Sequence, residues 1–315
     1  MNANYENRCI ANDVEAVVTS FNQGAMLLEA VRSLFCQTLL PAKIILVDDG
    51  STDKKSIDIL DQIASDTDAP VPLTVIKQEN GGVSSARNVG IQHAQAPLVL
   101  ILDGDDMLEP AYIEQVSRLL REDAAMVAAS SWMRTFGVLA ATVCPCGGDI
   151  AAFLPRNGCP ATHILRRNAW EQCGGYDEAM RTGFEDWDFF LSLLETDQKA
   201  NIGIVRQPLL RYRTAPDSSN IKSMNGRLEL MRYIMEKHSA AYCAHMIQVL
   251  LQMEATSAAR LRGWENEILH AIAANGTCSK ASEDFLNAPS YGDGGMAAAV
   301  RIASAQNAVT NQQGG

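Results

Sequence analysis

An apolar run, Leu98-Val99-Leu100-Ile101-Leu102, empties into Asp103-Gly104-Asp105-Asp106. In extended backbone alternate side chains share a face, so Asp103 and Asp105 are expected to point together, with Gly104 leaving room for a ligand. Two adjacent carboxylates attract a hard divalent cation. Mg2+ or Mn2+ takes few protein carboxylates and completes its shell with water and substrate phosphates, which describes a nucleotide-diphosphate site. A second acidic pair, Asp48-Asp49, follows Ile44-Ile45-Leu46-Val47 in the same way. Arg87 comes just after Gly81-Gly82 and a helix start, where its planar fork of donors suits phosphate oxygens and backbone N–H groups favour anions. Plainer roles compete. Asp106 with Glu109 has the spacing of a capping box, and an arginine on a helix is commonly a surface residue.

The elements that must position these residues read as alternating strands and helices, the pattern of a doubly wound, mostly parallel sheet. Strands are expected at Val14 to Phe21, Ile44 to Val47, Leu73 to Lys77 and Pro97 to Leu102. The helices between them run from about Met26 to Gln37, from a cap at Ser51 or Thr52 to Ser65, and from Ser84 or Ser85 to Ala94. Open α/β sheets bind ligands beyond the carboxyl ends of their strands, so both acidic segments should face one crevice. After a helix over 110–121 the pattern loosens. Met126 to Phe136 and Val138 to Val143 read as strands, 163–173 and 186–195 as helices, Ile202 to Val205 as a strand, and 223–275 as mainly helical.

Composition narrows the field. The 315 residues carry a formal charge of −11, which argues against a general nucleic-acid or anionic-membrane binder. No apolar stretch approaches the roughly 20 residues of a membrane span, and Met1 to Glu6 lack the pattern of a secretory signal, so a cytoplasmic location is expected. The eight cysteines lack the density of a disulfide scaffold. Cys144, Cys146, Cys159 and Cys173 could offer zinc four thiolates, although the Cys-Pro-Cys spacing is atypical and buried free cysteines are the alternative.

Four segments occur in order: Thr19-Ser20-Phe21-Asn22, Val47 to Asp53, Asn80 to Gly90 (Asn-Gly-Gly-Val-Ser-Ser-Ala-Arg-Asn-Val-Gly) and Leu102 to Asp106. In this order and spacing the chain resembles family 2 glycosyltransferases of the GT-A fold, over roughly residues 10 to 215. The resemblance implies an α/β GT-A domain over 10–215, with a nucleotide-sugar half (10–122) and an acceptor half (123–215). A helical C-terminal extension (216–275) and a poorly ordered tail (276–315) would follow. It implies ring or ribose contacts from Thr19, Asp48 or Asp49, and Asp103. Arg87 would lie near the diphosphate, Asp105 would be the principal ligand of Mn2+ or Mg2+, and Asp103 would be a shared nucleotide and metal contact.

Gly174-Gly175-Tyr176-Asp177-Glu178 and Phe184-Glu185-Asp186-Trp187-Asp188 look like the family's acceptor-side segments, with Glu185 a substrate contact and Asp186 the base of an inverting displacement. Acids also favour helix N-termini, and Trp187, Phe190, Leu191 and Leu194 follow at helical spacing, so these residues could simply start a helix. Gly174-Gly175 could be only a helix C-cap, and His163 and His93 read as structural. The Gln-x-x-Arg-Trp segment of processive synthases is missing, which implies single additions. Arg211-Tyr212-Arg213 resembles the family's Tyr-Arg ending, but Thr214 and Ala215 stand where a histidine is often found.

The expected activity is a hexosyl or N-acetylhexosaminyl transfer from a UDP-sugar to a hydroxyl of a glycan, lipid-linked glycan or small molecule. Two alternatives remain. A sugar nucleotidyltransferase would carry a Gly-rich, Arg-containing phosphate loop after the first strand, which is not seen. A catalytically silent sugar-nucleotide-binding protein is opposed by Asp103, Asp105 and Asp186.

Overall fold

Val14 to Ser20 and Ile44 to Asp48 are buried on both faces, so their continuous apolar character places them at the centre of a sheet with helices on either side. The computed structural model describes residues 9–215, 223–273, 280–288, 295 and 298–302. In chain order the first half contains β1 (Cys9–Ala11), β2 (Val14–Ser20), α1 (Ala25–Phe35), β3 (Leu39–Pro41), β4 (Ile44–Asp48), α2 (Lys54–Ala64), β5 (Leu73–Lys77), α3 (Val83–His93), β6 (Leu98–Asp103), β7 (Met107–Leu108) and α4 (Tyr112–Glu122). There follow β8 (Met126–Gly137), β9 (Thr142–Val143), α5 (Ile150–Phe153), β10 (His163–Arg166), α6 (Arg167–Cys173), α7 (Glu185–Leu194), β11 (Asn201–Thr214), α8 (Arg227–Lys237) and α9 (Ser239–Ala244).

Among the described residues the main sheet has nine strands in the order β5-β4-β2-β6-β10-β8-β11-β7, with β9 on β8. The β5-β4-β2-β6 half is parallel, as expected. Beyond it the sheet is mixed: β10 runs antiparallel to β6 and β8, β11 parallel to β8, and β7 antiparallel to β11. Leu27 and Leu34 of α1 pack with Ala16, Val18, Leu100 and Leu102 in the principal core. On the opposite face α3 lies so close to β2 that a Cβ on Gly90 would stand 2.2 Å from a Val17 methyl. That distance requires glycine.

Several elements differ from the sequence expectation. His163–Arg166 is a buried strand, not the start of a helix; it runs into α6 without a break, so its apolar residues blend with the helical spacing that follows. Val138 and Leu139 are exposed turn residues, because Gly137 at φ 96° ends the pairing and only Thr142 and Val143 rejoin the sheet. β11 continues to Thr214 through Pro208, which lacks an N–H, by shifting register around Val205, Pro208 and Leu210. The cap of α2 is Asp53, whose carboxylate accepts from Ser56 N, instead of Ser51 or Thr52.

The chain divides into two units, Met1–Ala244 and His245–Gly315. The helical stretch expected at 216–275 therefore belongs to the first unit as far as Ala244. The second contains α10 (Met246–Ala273) and α11 (Lys280–Asn287), with Trp264 against Phe285 at 4.4 Å between ring centroids. The tail expected to be poorly ordered falls mostly outside the described residues. No helix among those described is long and apolar enough to cross a membrane.

Candidate active site

The parallel register sets the first part of the site. Thr19 sits opposite Asp103 across β2 and β6, and Ser20 opposite Asp48 across β2 and β4, so three strand ends bring their polar residues to one edge. Thr19 Oγ1 donates to Asp103 Oδ1 at 3.3 Å. Gly104 serves packing here, because a Cβ on it would meet Thr19 O at 2.8 Å and the Gln23 side chain more closely still. The expectation that it leaves space for a ligand is thus replaced by a backbone reason.

The two acids after β4 have separate tasks. Asp48 accepts from Ser51 Oγ at 2.5 Å. Asp49 accepts from Gln78 Nε2 at 2.8 Å, Gly81 N at 2.8 Å and Gly82 N at 2.9 Å, which fastens the Gly-Gly turn at the start of α3.

That turn launches Arg87 into the interior. It is 1% exposed, so it is neither a surface helix arginine nor open to solvent. Nη2 donates to Asp103 Oδ1 and Oδ2 at 2.8 and 3.0 Å, Nη1 donates to Glu185 Oε1 at 3.1 Å, and the guanidinium carbon lies 5.3 Å from the centre of the Tyr176 ring. Burial works against the Arg87 charge, but Asp103, Tyr176 and Glu185 more than offset it. Arg87 therefore ties the first acidic segment to the acceptor-side Glu-Asp pair, 98 residues away in sequence.

Asp105 is only partly buried, and its carboxylate takes no hydrogen bond from another side chain among the described residues. Burial and the neighbouring Asp103 charge push its carboxyl up to about 6. Such a group gains most from a cation. Among the described residues no three His, Cys, Asp or Glu side chains form a metal cluster, so any cation here needs oxygens from a ligand as well. Asp106 does not start α4, whose N-cap is Ala111. It is buried and accepts from Arg213 N at 2.8 Å, while Arg213 Nε donates to Asp105 O at 2.8 Å, so β11 fastens the end of the acidic segment. Burial, then the charges of Asp106, Asp103, Asp105 and Asp186, raises the Tyr212 phenol.

The Glu-Asp pair opens α7. Phe184, the N-cap, has φ 63°, a left-handed conformation that a bulky side chain adopts only under constraint. Asp186 Oδ1 accepts from Trp187 N at 2.8 Å and Oδ2 from Asn157 Nδ2 at 2.9 Å. Burial and then the Glu185 charge push the Asp186 carboxyl up to about 7, against the pull of Arg87. The pair does begin a helix, but its side chains turn toward the acids and Arg87. His163 is buried, with its imidazole pushed down to about 3 by desolvation, and is neutral. Of the cysteines, Cys173 Sγ donates to Trp170 O at 3.4 Å, and Gly174 at φ 84° is indeed the C-cap of α6.

Residues 15–142 match the family model for glycosyl transferase family 2. That segment is a family 2 glycosyltransferase domain. YwdF of Bacillus subtilis, an uncharacterized glycosyltransferase, is 24% identical over 71% of the chain and 84% of its own length. Other bacterial relatives, 34–36% identical, are matched over only 29–37% of their length. Among solved structures, S. aureus TarS 1–349 in complex with UDP-GlcNAc has a TM-score of 0.61 at 16% identity, covering 76% of this chain and 71% of TarS. GalNAc-T7 with UDP, GalNAc and Mn2+ has a TM-score of 0.52 at 16% identity, covering 65% and 43%. These likenesses carry the GT-A fold to the glycosyltransferase.

Two residues of the site were not readable in the sequence. Asn157 lies in an irregular loop, and its only local sign is the turn in which its Oδ1 accepts from Cys159 N. Tyr176 belongs to an expected segment, yet its stacking on Phe189, at 3.7 Å between centroids, depends on a residue of α7 13 positions further on.

Proposed function

We propose that this glycosyltransferase moves a sugar from a UDP-sugar to an acceptor hydroxyl in one inverting displacement, with Asp186 as the base. The observation that carries the reading is the Asp186 carboxyl, raised to about 7 and held by Asn157 and Trp187 N. A base whose proton affinity sits near the working pH is ionised often enough and strong enough to accept a proton. It remains far too weak to deprotonate a free alcohol beforehand. As the acceptor oxygen bonds to the anomeric carbon, its proton passes to Asp186 and the bond from that carbon to the UDP oxygen breaks.

Thr19 and Asp48, at the ends of β2 and β4, would line the nucleotide, with Asp49 holding the Gly-Gly turn beside it. Asp105, with Asp103 next to it, would hold Mn2+ or Mg2+, which when bound would neutralise the departing diphosphate. The donor set fits: two carboxylates, one of them short of a partner, plus phosphate oxygens. Arg87 keeps Asp103 and Glu185 in place from behind. A UDP donor is supported by the fold shared with TarS, which was solved with UDP-GlcNAc. On this reading 10–122 binds the donor, and 123–215 faces a hydroxyl on a glycan, lipid-linked glycan or small molecule.

The test is a panel of UDP- and GDP-sugars with Mn2+, followed by UDP or GDP release and by binding. UDP-sugar turnover that EDTA stops, and that Asp105→Asn removes, is the expected result. No binding or turnover of any donor, with EDTA without effect, refutes the reading.

A further inference from the structure

Helix α8 lies beyond the last recognisable motif, yet it grips the helix that carries Asp186 at several points. At its amino end the Arg227 guanidinium carbon lies 5.4 Å from the centre of the Phe184 ring, the strained residue before Glu185-Asp186. Just ahead of α8, a Cβ on Gly183 would stand 2.3 Å from Ser223 Cβ, so the two segments are in close contact there. At the carboxyl end of α8 the contacts are ionic. Lys237 Nζ donates to Asp188 Oδ2 and to Asp177 Oδ2, both at 2.8 Å, and Tyr233 OH also donates to Asp177 Oδ2 at 2.8 Å. His238 faces Asp188 Oδ1 through Nε2 at 3.0 Å and Glu195 Oε2 through Nδ1 at 2.9 Å.

Asp188 is 0% exposed and His238 is 2% exposed. A buried carboxylate is retained as a charge only when it is paired and hydrogen-bonded, and here both oxygens are. A neutral imidazole donates through one nitrogen, whereas His238 has a carboxylate at each, so the arrangement calls for the doubly protonated ring. Asp188 follows Asp186 by two residues in the first turn of α7, and Asp177 belongs to the segment whose Tyr176 touches Arg87. The two cations therefore join both acceptor-side segments at one point.

We infer that Lys237 and His238 are positioning residues: they hold the first turn of α7, and through it the direction in which Asp186 presents its carboxylate. The inference rests on Asp186 acting as the base. The groups facing His238 are Asp188 and Glu195 from α7; Lys237 and Tyr233 belong to α8 itself, Asp177 reaches the network through Lys237, and Cys173 of α6 lies within the field of Asp188 and Lys237. Desolvation opposes the imidazolium, but hydrogen bonds to Asp188 and Glu195 raise it to about 9. The grip is then complete below about pH 6.5 and is lost as pH rises through about 9.

The experiment uses the full chain with UDP-GlcNAc and Mg2+, follows UDP release to water, and normalises rates to the folded fraction. Lys237→Met and His238→Gln should lower kcat about tenfold with the donor KM unchanged, because the donor-side acids are untouched, and Lys237→Arg should recover most of the rate. Above about pH 9 the wild-type rate should fall toward that of His238→Gln, whose profile stays flat there. Amide exchange reads the same point without turnover: residues 184–188 should lose about tenfold in protection in both variants while 98–105 keep theirs. Unchanged exchange at 184–188, unchanged kcat, or a rise in donor KM that matches the fall in kcat overturns the inference. Asp186→Asn is the reference: if it is inactive while the Lys237 and His238 variants are unaffected, only the positioning role fails. If it retains full activity, the base assignment fails and the positioning role with it.

Discussion

Replacing Asp186 by Asn should stabilise the folded protein above pH 7 while abolishing transfer. The Asp186 carboxyl ionises at about 7 in the folded chain, against 3.8 without its surroundings. Folding therefore favours its protonated form, and the penalty on the charged form appears as pH rises from about 4 and is complete above about 7. A displacement of about three pH units corresponds to about 4 kcal/mol. Asp186 is partly buried, and an Asn side chain also gives up charge-assisted hydrogen bonds, so about half of that is expected to remain. For a domain of this size about 2 kcal/mol raises the melting temperature by about 4–8 °C. The assay is thermal unfolding of wild type and Asp186→Asn between pH 4 and pH 8. The two should melt together at the acid end, diverge through pH 5 to 7, and stay apart above it. A constant difference across that range, or none at pH 8, would refute the claim that burial holds the carboxyl high, and with it the main support for Asp186 as the base.

Three further outcomes follow from the same network. Arg87→Met leaves Asp103 and Glu185 without their shared cation and should cost about 3–5 kcal/mol in a urea titration, with the acid limb of activity moved to higher pH because Arg87 normally favours the Asp186 anion. Asn157→Ala removes one donor to the Asp186 carboxylate; a hydrogen bond to a charged acceptor is worth about 1.5–3 kcal/mol, so the acid limb of the kcat profile should rise by about one pH unit. Gly90→Ala places a methyl 2.2 Å from Val17 and should destabilise the chain by about 1–3 kcal/mol, read as a lower denaturation midpoint with unchanged donor KM.

The donor half was legible because its signals are local. The apolar runs of β4 and β6, each ending in Asp, state both the strand and the place where its polar end emerges, and β4, β5 and β6 lie within a residue or two of their expected limits. The other half depends on contacts far apart in sequence. His163–Arg166 becomes a strand because β6 and β8 offer edges on either side, which no spacing within the segment records. Arg87 has the sequence surroundings of a phosphate-facing residue, but the helix rotates it into the interior, where Asp103 and Glu185 meet it. Asp106 and Glu109 have the spacing of a cap, yet Arg213 N, 107 residues later, takes the carboxylate first. Asn157, Lys237 and His238 carry no pattern at all; each is defined by the carboxylate it reaches.

The bond from Arg213 to Asp106 also imposes an order on synthesis. A ribosome-bound chain that has emerged only as far as residue 142 contains Asp103, Asp105 and Asp106, but lacks both β10, which covers the open side of β6, and β11, which closes the acidic segment. Asp103 already has Thr19 and Arg87, but the edge of β6 stays unpaired until β10 has left the exit tunnel, and the Asp106 carboxylate lacks its backbone donor until about residue 213 has followed. That intermediate is the one with most reason to engage a chaperone, and slow codons placed between residues 142 and 213 would prolong it.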